Sequence, residues 1–168
     1  MSMKLQLKTG WQRNLVVFGP SIFLGLTLLA SGTGKVPGQT EFTDVLLQSF
    51  WTPTMAYLIG SCLPWAEVIL GVLLLLGVFP RIAAALSLPL IAGFIANNAW
   101  ALSQGMGQFP ECGQCFGIWE KLLGAISPLQ ALCLDVVLLC LALSILLLHP
   151  SGFLNYRPWF IKRKESKG

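Results

Sequence analysis

Apolar residues along this chain fall into four long runs with very few charges inside them. The first expected span covers 15–31, the second 54–79, the third 82–102 and the fourth 128–148. About 20 apolar residues cross a bilayer as a helix, so each run is long enough to span. The pattern predicts an all-α integral membrane protein: a single four-helix bundle of up-down topology occupying residues 1–168. Gly19-Pro20 breaks the first run and predicts a kink. That run also reads as a signal-peptide core, because bases precede it and small residues follow it; the spanning reading is preferred. A short stretch before the second run, 43–50, puts Val45, Leu46 and Phe50 on one face and predicts an interfacial helix.

Lysine and arginine orient the spans. The segment before residue 15 carries Lys4, Lys8 and Arg13, and the tail after Pro150 carries Arg157, Lys162, Arg163, Lys164 and Lys167. The tight turn 79–81 adds Arg81. The two longer connections each hold a single lysine, Lys35 and Lys121, offset by acids. The bias places both termini in the cytoplasm and both longer loops outside, in a multi-pass protein of the inner (cytoplasmic) membrane, with 149–168 as a basic cytoplasmic tail. Trp51, Trp100 and Trp119 then fall near the outer interface, and Trp11 and Trp159 near the inner one. Trp65 falls deeper and calls for a packing partner.

Composition agrees with this picture. Of 168 residues, 55% are hydrophobic and 11% charged, against about 25% charged in soluble domains. Too few charges exist to coat a water-facing surface, and no length remains for a separate soluble catalytic domain. The net charge of +4 is concentrated at the ends, so it addresses anionic lipid and membrane orientation rather than nucleic acid.

The sharpest local motif is Cys112-Gly113-Gln114-Cys115 in the second outer loop. The spacing suits a reversible disulfide, a metal site or haem attachment. Haem attachment calls for a histidine after the second cysteine, where Phe116 stands. A structural zinc site needs four ligands, yet Cys62, Cys133 and Cys140 lie in apolar spans and His149, the single histidine, lies at the opposite membrane face. Neither metal reading is completed within one chain, and no metal is expected. Outside the cytoplasm a dithiol/disulfide pair persists, and the motif alone leaves open whether it is redox-active or a static staple. Glu111 and Glu120 disfavour a thiolate unless a helix starting near Phe116 points its N-terminus at the pair. A surface helix turn over 117–123 is expected, with Cys112 attacking and Cys115 resolving.

Polar residues inside the spans form the second signal. Glu67 sits mid-span in the second run, Asp135 two turns into the fourth, and Asn97 and Asn98 near the outer end of the third. All lie toward the side that carries the cysteine pair. A membrane carboxylate needs a partner, and no lysine or arginine lies within a predicted span. Glu67 and Asp135 are therefore expected to be protonated or bonded to Asn97, Asn98, Trp65 or backbone, as a polar pocket that handles protons or holds a cofactor. Simple interhelical hydrogen bonding accounts better for Asn97 and Asn98. Cys62 and Cys133 are candidates for resolving a mixed disulfide, whereas Cys140 reads as a small buried apolar residue.

The run Leu63-Pro64-Trp65-Ala66-Glu67, then Gly71, Leu73 to Gly77 and Arg81, resembles the second helix of the DoxX/MauE group of small four-helix membrane proteins. Cys112 to Gly117 is similar to the Cys-Gly-Cys-Phe-Gly loop of the MauE branch, with two residues between the cysteines here and one there. Asp135 followed by Val136-Val137-Leu138-Leu139 resembles the start of its last helix, and Gly34-Lys35 follows the first span in a similar way. The resemblance implies a role in redox maturation of exported proteins, as in methylamine dehydrogenase assembly, or with a membrane oxidoreductase.

Together these point to a thiol–disulfide membrane protein exchanging with an extracytoplasmic thioredoxin-like or substrate protein. A quinone held near Glu67 is one acceptor the sequence allows, though no motif demands it. Two rivals remain: a non-catalytic accessory subunit of a larger membrane electron-transfer complex, and a small transporter using Glu67 and Asp135 as a proton or cation site.

Overall fold

The structure is a computed structural model that describes residues 10–107 and 126–148, with side chains from 18 to 107 and from 126 to 147. Five helices make up the described residues: α1 (Gly10–Lys35), α2 (Gln39–Leu47), α3 (Pro53–Leu76), α4 (Pro80–Ser103) and α5 (Pro128–Leu148). No strand occurs among them. Three of the five, α3, α4 and α5, are long and apolar enough to cross a membrane by length and composition. The first expected span lies inside α1, which continues through Pro20.

Local chemistry sets the helix ends. Thr52 caps α3 by accepting from the Met55 amide at 3.5 Å, and Pro53 follows at the first helical position. Gly77, at φ 66°, ends α3 in a Schellman turn: its amide reaches Leu74 O, and the Val78 amide reaches Leu73 O. Pro80 then starts α4 at once, so α3 and α4 form an antiparallel hairpin. At the start of α5, Ser127 Oγ accepts from the Gln130 amide while Gln130 Oε1 accepts from the Ser127 amide, a reciprocal capping box.

The long helices touch in a ring, α1 on α3, α3 on α4, α4 on α5 and α5 on α1. Glycines let α1 and α3 approach to backbone contact. A Cβ on Gly32 would sit 2.7 Å from Pro64 O, and one on Gly71 would sit 2.8 Å from the Leu29 amide nitrogen. Gly25 faces Gly71 in the same way, which sets an antiparallel register and is the small-residue packing that membrane helices favour. Around this seam Leu24, Leu28, Leu70, Leu74, Ala84, Ile91, Leu138 and Ile145 form the main core. At the opposite edge Arg81 donates to Leu146 O at 2.6 and 3.2 Å, stitching the start of α4 to the last turns of α5.

Two expectations about α2 and its surroundings change. The predicted interfacial helix over 43–50 is instead α2, set earlier in the chain, with Phe42, Thr43, Val45 and Leu46 buried. It packs on the first turns of α3, where Gly60 leaves room for the Thr43 side chain. Phe50 lies beyond α2, exposed, and its ring meets Trp51 at 4.6 Å. Trp65 was expected to find a partner within the protein; it is 53% exposed on the outer face of α3, where lipid can cover it.

Candidate functional site

The buried ionisable side chains and Asn98 lie from the middle of the helices toward one end. Because α1 opposes α3, α3 opposes α4 and α4 opposes α5, that end holds the C-termini of α1 and α4 and the N-termini of α3 and α5. The connection carrying Cys112 and Cys115 joins α4 to α5 at this same end. Both cysteines, and the helix turn expected over 117–123, lie outside the described residues.

Glu67 is fully buried on α3, and its partner is Lys35, whose Nζ donates to Oε1 at 2.7 Å. The sequence, with no base inside a span, expects Glu67 to be protonated or bonded to Asn97, Asn98, Trp65 or backbone; the partner is a lysine from beyond the first span. The sequence places residues 32–35 in the connection after the first span, but they continue α1. Glycines at 32 and 34 do not break the helix, and Thr33 Oγ1 bonds back to Leu29 O at 2.7 Å. The extra turn carries Lys35 over the glycine seam and down against Glu67. Its ammonium also lies over the Phe94 ring at 4.3 Å and the Phe42 ring at 5.1 Å, favourable cation–π geometry. Lys35 is 4% exposed in its side chain, so the pair is dry on both sides, where charge attraction is strong and desolvation expensive.

A second pair joins α4 to α5. Asn98 Nδ2 donates to Asp135 Oδ2 at 2.8 Å, and both residues are buried. Asp135 lies within coulombic reach of Lys35 and Glu67, so the four residues share one electrostatic neighbourhood. Asn98 thus has the interhelical bonding role. Its neighbour Asn97 does not share it, for among the described residues its buried Oδ1 has no hydrogen-bond partner.

Asn97 instead lines a cleft of about 200 Å³ between α2, α3 and α4, with Phe42, Leu46, Trp51, Ile59, Leu63, Pro89, Leu90, Gly93 and Phe94. Phe42 and Phe94 form the wall that separates this space from Lys35. Among the described residues the Nε1 of Trp51, buried away from this space, has no hydrogen-bond partner either.

Cys62, Cys133 and Cys140 are free and exposed on their helices. The helical turn rotates each of them outward, so the sequence reading of Cys140 as a small buried apolar residue does not hold. Sequence reasoning missed Lys35 as a site residue, together with the cleft residues Phe42, Trp51 and Phe94. A signal for Lys35 existed: Glu67 demanded a cation, and Lys35 stands one helical turn past the first apolar run.

No curated protein and no solved structure matches the chain. A family model described as methylamine utilisation protein MauE matches residues 13–148. That match takes in all five helices but for the first residues of α1, with the buried pairs, the cleft and both cysteines. The chain belongs to the MauE family.

Proposed function

We propose that this protein is a thiol–disulfide redox protein of the inner membrane. Cys112 and Cys115 exchange with an extracytoplasmic thioredoxin-like or substrate protein during oxidative maturation of exported proteins. The observation that carries the reading is the one-sided arrangement of polar groups. Lys35–Glu67, Asn98–Asp135 and the cleft all lie toward the helix ends from which the Cys-Gly-Gln-Cys connection departs. Membership of a family described by methylamine utilisation fits a membrane redox or accessory role.

In the oxidising direction a partner dithiol attacks the Cys112–Cys115 disulfide. One S–S bond breaks here, one forms in the partner, and two protons move to Cys112 and Cys115. The reduced pair is then reoxidised by a membrane acceptor. The ion pair argues against a cation-coupled transporter, because Lys35 already neutralises the carboxylate that a cation would need. It also supports the expected orientation, since Lys35, the one base at the end of α1, is neutralised and adds little to the positive charge of that flank.

Thiol trapping in living cells tests the proposal. Cys115→Ser should accumulate mixed disulfides through Cys112, and Cys112→Ser should accumulate none. If both variants leave partner maturation and respiration unchanged and lower only thermal stability, the cysteines are a static staple and an accessory subunit is the better account.

A further inference from the structure

Each of the four long helices sends one polar side chain into the same interior junction: Lys35 from α1, Glu67 from α3, Asn98 from α4 and Asp135 from α5. None of the four is more than 6% exposed. Two contacts tie them together, Lys35 Nζ to Glu67 Oε1 at 2.7 Å and Asn98 Nδ2 to Asp135 Oδ2 at 2.8 Å. Asp135 also lies within coulombic reach of both Lys35 and Glu67. Charge does not balance in this group. One ammonium faces two carboxyls, so full ionisation would leave a net negative charge in a dry interior within the bilayer, where an uncompensated charge is expensive. Among the described side chains no further cation comes to it. Arg81 bonds Leu146 O at the opposite end of α4 and α5. The remaining titratable groups of the packed elements face away: Glu41 and Asp44 of α2 are exposed, as are Tyr57 and Cys62 of α3 and Cys133 and Cys140 of α5 itself.

We infer that this junction is a proton-binding site: it holds one proton, carried by the carboxyl of Asp135, while Glu67 stays ionised against Lys35. Contacts decide which acid takes the proton. Glu67 has the ammonium at 2.7 Å, whereas Asp135 touches only the neutral amide of Asn98, which donates to the carbonyl oxygen of a carboxylic acid without calling for a charge there. Lys35 keeps its own proton because its ammonium also lies over the Phe94 and Phe42 rings, at 4.3 and 5.1 Å, and those faces attract the cation alone. The number of bound protons then follows the charges, as buried carboxyls less buried ammoniums. This inference does not depend on the cysteines. It gives the half of the bundle from which the Cys112–Cys115 connection departs a group that can take up or release a proton. Plain interhelical hydrogen bonding differs from it in one respect: Asn98 would serve an ionised Asp135 just as well, and no proton would be bound.

The test uses the full-length protein in lipid nanodiscs and infrared spectroscopy, where a protonated carboxyl gives a carbonyl band that a carboxylate lacks. The aspartates of the chain are Asp44 and Asp135. Asp44 is exposed and ionised at neutral pH, so a band that shifts with isotope-labelled aspartate reports on Asp135. Wild type at neutral pH should show that label-shifted acid band, and Asp135→Asn should lose it. Glu67→Gln should lose the same band although Asp135 is intact, because the ammonium is then left to Asp135 alone. Lys35→Met should keep the band and add one that the label does not shift, from Glu67. Should Lys35→Met fail to fold, the two amide variants still decide. A wild type without the aspartic acid band would overturn the assignment, and so would an unshifted band that disappears in Glu67→Gln, which would put the proton on Glu67. An aspartic acid band that survives Glu67→Gln would overturn it as well, since the proton would then not follow the charge count.

Discussion

Removing one member of the buried Lys35–Glu67 pair should cost far more than removing both. The ammonium and the carboxylate are 2.7 Å apart, with side-chain exposures of 4% and 0%, so water reaches neither. Deleting one partner of such a pair strands a charge or a polar group in a dry interior, at about 3–5 kcal/mol. Lys35→Met also loses the contact over Phe94 at 4.3 Å, a further loss of about 1 kcal/mol. Glu67→Gln keeps an acceptor for the ammonium and should sit near the lower end, about 3 kcal/mol. The double variant Lys35→Met/Glu67→Met keeps roughly the same volume and removes both desolvation costs. It should fall within about 1 kcal/mol of wild type. The four proteins form a double-mutant cycle, and unfolding free energies from SDS titration in mixed micelles supply its corners. The two single losses should fail to add by several kcal/mol. Single losses below about 1 kcal/mol, or losses that simply add in the double variant, would refute the description of a dry, mutually dependent pair.

Three further outcomes are expected. Gly71→Val places side-chain atoms against the Leu29 backbone, where even a Cβ would be only 2.8 Å from the amide nitrogen; it should destabilise by about 1–3 kcal/mol or more in the same titration. Arg81→Met removes two charge-assisted hydrogen bonds to Leu146 O and should cost about 1.5–3 kcal/mol, with Arg81→Lys restoring part of it. A membrane-impermeant thiol reagent applied to intact spheroplasts should label reduced Cys112 or Cys115, and labelling only after lysis would reverse the proposed orientation.

The helices and their polar residues were legible in the sequence because a bilayer imposes length and apolarity directly on the chain. Glu67 and Asp135 stood out for the same reason: a carboxylate in an apolar run has no bland explanation. Their partners were harder to read. Lys35 lay past the apolar run, and hydropathy cannot tell whether Ser31-Gly32-Thr33-Gly34 ends a helix or continues it. Tertiary contact with α3 decides that, through glycines that permit approach rather than prevent helix. Asn97 and Asn98 look alike in sequence, yet one helical step of about 100° turns Asn98 onto Asp135 and Asn97 into the cleft. The outward rotation of Cys62, Cys133 and Cys140 was hidden for a related reason. Runs that are apolar all round carry almost no periodic signal to say which face points inward.

The glycine seam has a mechanical consequence. With backbone against backbone at Gly25, Gly32 and Gly71, α1 cannot slide along α3 by a turn without driving leucine side chains into main chain, and the ion pair pins the same two helices. On the other side α4 and α5 are fastened near both ends, by Asn98–Asp135 and Arg81–Leu146. The tight fastenings thus fall within the α1–α3 and α4–α5 pairs, and the two pairs meet along the α3–α4 and α5–α1 seams. The cleft lies beside the α3–α4 seam, away from the 77–79 turn that joins those two helices.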